Sequence, residues 1–138
     1  MNTQSVNYAA FSLRISLFIL MSVWALMKIV APASYAGNGD QPGIFQTFYG
    51  ADFGNSFVLI LGIGQVILLL AFATGMFKTV TSGAVLAMNS VSLAVSMPYI
   101  LNPFVKPNLL FLASVPVLGA SLAHFLLRRY DTVFSLGR

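Results

Sequence analysis

The sequence predicts an all-α integral membrane protein, a four-helix bundle with both termini in the cytoplasm, and three observations carry that prediction. First, only seven Lys or Arg and three acidic residues occur among 138, while 58% of the chain is hydrophobic. Mean hydropathy is +0.87, so a water-soluble fold would have too little polar surface to cover itself. Second, four apolar stretches each approach the ~20 residues with which a helix crosses ~30 Å of hydrocarbon. Third, the basic residues are distributed unevenly between the segments that join those stretches. The polar–apolar alternation of a barrel strand is absent, and helices satisfy their own backbone hydrogen bonds in lipid. Residues 1–138 therefore read as a single transmembrane domain.

The first span is expected over 11–31, from Phe11 until Pro32 ends it. The second covers 53–77, the third 79–100 and the fourth 108–127. They leave a long connection at 32–52, a tight turn at Phe77–Lys78 and a short connection at 101–107. In the long connection, Gly37-Asn38-Gly39-Asp40 is turn chemistry. Phe45, Phe48, Tyr49 and Phe53 then have the spacing of a short interfacial helix, with Tyr35 in the same aromatic belt. Ala31-Pro32-Ala33 and Ser34-Tyr35-Ala36 resemble signal-peptidase sites, but Lys28 interrupts the approach, so the segment reads as a retained helix.

Orientation follows from Lys and Arg. Arg14, Lys78, Arg128, Arg129 and Arg138 fall on the side of the two termini, and Lys28, Lys106, Asp40 and Asp52 on the other. Basic residues concentrate on the cytoplasmic side of membrane proteins, which places both termini there. The net charge of +4 is thereby met by lipid headgroups and calls for no nucleic acid.

The composition removes several kinds of chemistry. Cysteine is absent, which excludes thiol exchange, iron–sulfur ligation and disulfides. All three acidic residues are Asp, so the mid-membrane Glu of a proton-coupled exporter is missing. The one histidine, His124, lies a turn before Arg128 and reads as an interfacial polar residue, since two-histidine haem ligation needs a second. No phosphate loop, Ser–His–Asp set or metal-ligand cluster is present, so no catalytic residue and no metal is expected.

The remaining polar residues lie in the spans. Arg14 and Lys28 are separated by close to four turns, on one face and ~21 Å apart along the axis. Side chains lean toward a helix's amino end, so Arg14 is expected to snorkel to the cytoplasmic surface, while Lys28 needs a partner. Asp52 is the expected partner, in a structural Lys28–Asp52 pair, and Trp24 stands one turn earlier on the same face. Gln65, near the middle of the second span beside Gly62 and Gly64, is expected to hydrogen-bond a neighbouring helix. Ser82, Asn89, Ser92 and Ser96 fall within about 80° of one face of the third span and form a stripe that must face the bundle or a partner. Pro98 is expected to bend or break that span near its outer end. Trp24, Lys28, Gln65 and Asn89 together form a polar seam in which a quinone is the candidate ligand.

Arg14 early in the first span, followed by Trp24-Ala25-Leu26-Met27-Lys28 at its end, resembles the opening of DoxX-like membrane proteins. Gly62-Ile63-Gly64-Gln65 running into Ala73-Thr74-Gly75, and Pro107-Asn108-Leu109-Leu110, are similar to that family's second span and the start of its fourth. Gln65 stands where the family usually has Glu, and a larger residue replaces the small one before its Lys. The resemblance implies a multi-pass protein of the bacterial inner (cytoplasmic) membrane in a redox neighbourhood. The chain itself carries no redox centre. Three functions are therefore open: a non-catalytic accessory or assembly subunit of a larger respiratory complex, contacting other membrane subunits or itself; a quinone-binding subunit of an oxidoreductase such as a thiosulfate:quinone enzyme; and a small transporter.

Overall fold

The structure, a computed structural model, describes residues 2–105 and 108–137, with the side chains of 108–110 excepted. Lys106 and Arg138, counted above for orientation, and Pro107 of the family-like motif lie outside the described residues. Helices are the only extended regular elements among them: α1 (Thr3–Val30), α2 (Ala33–Ala36), α3 (Ile44–Tyr49), α4 (Asn55–Ala73), α5 (Lys78–Ile100), a 3₁₀ helix (Asn108–Ala113) and α6 (Ser114–Leu127). Three of them, α1, α4 and α5, are long and apolar enough to cross a membrane.

The helix ends differ from the apolar stretches for local reasons. α1 begins eight residues before its apolar stretch because Asn2 caps it: Asn2 Oδ1 accepts from Gln4 N at 3.3 Å, and Asn2 O from Ser5 N at 3.0 Å. Its 28 residues span about 42 Å, more than the hydrocarbon needs. α4 stops at Ala73, short of the expected Phe77, although the hydropathy continues. Gly75 adopts φ +69°, its N–H bonds Phe72 O at 3.0 Å, and Met76 N bonds Ala71 O at 2.9 Å. That pair of bonds is the Schellman stop, which a glycine at this position makes easy. α5 then starts at Lys78, where Thr81 Oγ1 donates to Met76 O and Phe77 O at 3.1 and 3.2 Å.

Pro98 lies inside α5 without ending it, and Asn102 Nδ2 caps the last turn by donating to Pro98 O at 3.2 Å. Where a fourth span is expected, no single helix of spanning length forms among the described residues: a 3₁₀ helix is followed by α6, whose fourteen residues fall short of the ~20 needed. The 3₁₀ helix passes into α6 at Ser114, and Pro116 falls in the first turn of α6, where its missing N–H is tolerated. Six residues at ~2.0 Å and fourteen at ~1.5 Å give roughly 33 Å.

Two compact units divide the chain, one of Met1–Phe18 with Ala71–Arg138, the other of Ile19–Leu70. In the first, α5 packs on α6: Asn89 Nδ2 donates to Ser121 Oγ at 2.6 Å, and Gly83 faces the Phe125 ring. In the second, Gly62 of α4 meets α1 so closely that an added Cβ would lie 2.8 Å from Lys28 Cβ. The connection after α1 also folds in this unit. Tyr35, Ala36, Phe45 and Val58 form a small core, with Ile44, Phe53 and Leu61 against it. Phe45 is its hub, with ring centroids 5.5 Å from Tyr35, 5.6 Å from Tyr49 and 5.5 Å from Phe53. The aromatic spacing therefore does mark a short helix, α3, which Gln46 caps by accepting from Gly43 N at 3.2 Å.

Candidate functional site

The buried residues of α1 are Ala10, Arg14, Leu17, Met21, Ala25 and Lys28, a stripe with the three- and four-residue steps of one helix face. Its two cations are the polar centres of the two units, as their shared face anticipates.

In the first unit Arg14 is 1% exposed and does not snorkel. Its partner comes from beyond α6, where residues 128–131 turn through bonds from Tyr130 N to Leu127 O at 2.8 Å and from Thr132 N to Tyr130 O at 2.9 Å. This turn carries Asp131 inward until Oδ2 lies 3.1 Å from Arg14 Nη1 and 3.0 Å from His124 Nε2. Arg14 Nη2 donates to Val133 O at 2.7 Å and Phe134 O at 3.0 Å, so one guanidinium holds both the carboxylate and the chain after it. Phe72 stands edge-on to the His124 ring, with centroids 5.0 Å apart.

The segment is fixed along its length. With its amide turned to suit its neighbours, Asn7 donates to Tyr130 O at 2.7 Å and accepts from Thr132 Oγ1 at 3.1 Å. Leu136 N donates to Thr74 O at 2.9 Å. Gly75 is required here twice, by its positive φ and by space, since a Cβ would lie 2.5 Å from both Arg14 Nη1 and Ser135 Oγ. Arg14 Nε, Asp131 Oδ1 and Ser82 Oγ are buried without a hydrogen-bond partner among the described residues. Arg14, Asp131 and His124 are each at most 2% exposed, so the cluster is closed to a substrate and acts as a lock between α1, α6 and the final segment. Sequence reasoning missed Asp131. The signal was available: it is the one acid on the side assigned to Arg14, just past Arg128-Arg129.

In the second unit Lys28 is 7% exposed. It leans back along α1, Nζ donating to Trp24 O at 3.3 Å and lying 4.5 Å from the centre of the Tyr35 ring. Tyr35 Oη donates to the same carbonyl at 3.4 Å. Burial pushes the Tyr35 hydroxyl up to about 12, with Tyr49 adding to the effect, and burial also raises Tyr49. Asp52, the expected partner of Lys28, is exposed, and the ion pairs among the described residues are the two made by Asp131. Trp24 is exposed beside this centre.

The other anticipated residues are distributed over both units. Gln65 is half-buried on the line of α4 that carries Val58, Gly62 and Leu69, and its amide has no hydrogen-bond partner among the described residues. Gly64 beside it faces open space. Of the α5 stripe, Ser82 and Ser96 are buried and Asn89 is half-buried, bonded to Ser121 of α6, whereas Ser92 is exposed. Asn89 of the stripe is thus spent on packing α5 against α6, and Ser121 is the second residue that sequence reasoning missed. Trp24, Lys28 and Gln65 belong to one unit and Asn89 to the other. Among the described residues no three His, Cys, Asp or Glu side chains gather as metal ligands. Comparisons with known protein families, with curated proteins and with solved structures return no match.

Proposed function

We propose that this chain is a non-catalytic integral membrane subunit of a larger bacterial inner-membrane complex, crossing the bilayer four times with both termini in the cytoplasm. The observation that carries the reading is Gln65. An amide near the middle of the most hydropathic helix, without a hydrogen-bond partner among the described residues, calls for a donor or acceptor from another helix. Gly64 leaves room for that helix to approach. Between 22% and 28% of the apolar window of α1, α4 and α5 is buried within the chain, which leaves ample surface for other subunits. The four-span topology is supported by the length of the 3₁₀–α6 segment and by the bonds from Asn7 and Arg14 to residues 130–134. Those bonds bring the amino half of α1 and the carboxyl segment to one end of their unit. The DoxX-like resemblance suggests a respiratory or redox complex.

A quinone-binding role is the second reading, favoured by Lys28. Its ammonium spends one hydrogen bond on Trp24 O and faces no carboxylate among the described residues, and the Trp24 indole lies exposed beside it. A quinone carbonyl accepts hydrogen bonds and its ring stacks on an indole. Gln65→Leu separates the two. Loss of stoichiometric co-purification with a partner, assayed in mild detergent, supports the subunit reading. Intact assembly with lost quinone-linked turnover supports the second, and wild-type behaviour in both assays removes Gln65 from either role.

A further inference from the structure

The end of the first unit carries cations and outward-facing aromatics with no exposed acid among the described residues to offset them. Arg128 Nε donates to Thr79 Oγ1 at 3.3 Å, which sets the end of α6 beside the start of α5. Leu136 N bonds Thr74 O, and Met76, Phe77, Lys78, Leu136 and Gly137 line one open groove. Lys78 and Arg128 are half-buried there, and Arg129 is exposed. Asp131, the acid of this segment, is 1% exposed and already neutralised by Arg14. Around the cations stand large apolar side chains, Phe77 70% exposed, Phe134 83% and Leu136 74%.

The backbone supplies an independent observation. Phe77 and Phe134 are the non-glycine residues with positive φ among those described, at +48° and +45°. The left-handed region is costly for an L-residue and uncommon for a bulky side chain. Both strained residues are phenylalanines of this one patch. Such strain persists where the surrounding structure imposes it, often in the service of binding.

We propose that the α4–α5 turn and residues 128–137 form a docking surface for anionic phospholipid headgroups. Phe77, Phe134 and Leu136 enter the boundary between headgroups and acyl chains, while Lys78, Arg128 and Arg129 meet phosphate. Charge complementarity selects this occupant: a surface with cations alone, mounted at the end of apolar helices, fits the negative face of a bilayer. The burial of Asp131 makes the complementarity possible, because an exposed carboxylate at that position would repel the same headgroups.

The test uses the full chain, which has no cysteine and so accepts a single engineered one. A polarity-sensitive fluorophore on Phe134→Cys is read in vesicles containing brominated lipid, and retention of phosphatidylglycerol against phosphatidylcholine is measured by native mass spectrometry. The expected result is quenching at 134 and preferential retention of phosphatidylglycerol, about fivefold per cation at low salt and falling as salt rises. Lys78→Gln with Arg129→Gln lowers that preference by roughly 25-fold, and it leaves Arg128 with its Thr79 and Phe125 contacts in place. Equal retention of the two lipids, or an unquenched label in vesicles, overturns the proposal. A label quenched in vesicles but shielded in the source membrane also overturns it, in favour of an acidic protein partner.

Discussion

Arg14 shows how one residue's meaning depends on a group far along the chain. A cation near the start of an apolar helix can be read as snorkelling, because that costs nothing the sequence records. Its burial becomes acceptable only when Asp131 arrives with His124 and two backbone carbonyls. Breaking a buried pair by removing one partner leaves the other charge uncompensated. Asp131→Asn should therefore destabilise the chain by about 3–5 kcal/mol, seen as a lower thermal unfolding midpoint in detergent. An unchanged midpoint would mean that the pair contributes nothing. Gly75→Ala should also destabilise, since it combines a φ of +69° with a collision against Arg14 and Ser135. Gly39→Ala is the control: its φ is +83° but nothing lies within 4 Å, so only the backbone cost of roughly 1–2 kcal/mol remains. Equal losses from the two would show that the Arg14 contact is immaterial. The shared face of Arg14 and Lys28 was legible from their spacing, whereas their partners depended on tertiary packing.

At the scale of elements, hydropathy located the helices and local chemistry moved their ends. Asn2 extends α1 through polar residues that no hydropathy window registers, and the Gly75 stop removes Thr74–Phe77 from the expected second span. Both signals were present as an N-cap residue and a C-cap glycine, but each is short beside a long apolar run. The α5 stripe was legible as a face, though not that its Asn89 meets α6, because helix pairing leaves no periodic trace. Asn89 and Ser121 make that pairing specific through a 2.6 Å hydrogen bond. A double-mutant cycle of Asn89→Ala and Ser121→Ala should give a coupling of about 0.6 kcal/mol, and at most ~1.7 kcal/mol, in unfolding measured in detergent. Strictly additive losses would assign the contact no energy of its own.

For the whole molecule, the two cations of α1 are settled within the chain, while the Gln65 amide has no hydrogen-bond partner among the described residues. Arg14 is neutralised and Lys28 is held by a carbonyl and a ring, while Gln65 lies beside an open glycine on a helix made for lipid. The most direct measurement is site-specific photo-cross-linking from position 64 in the source membrane, where Gly64→benzoylphenylalanine has room for the added side chain. The expected result is a discrete protein adduct, either with another membrane subunit or with a second copy at twice the mass, and its loss when Gln65→Leu is added. Irradiation that yields no protein adduct, with the chain intact and inserted, would contradict it.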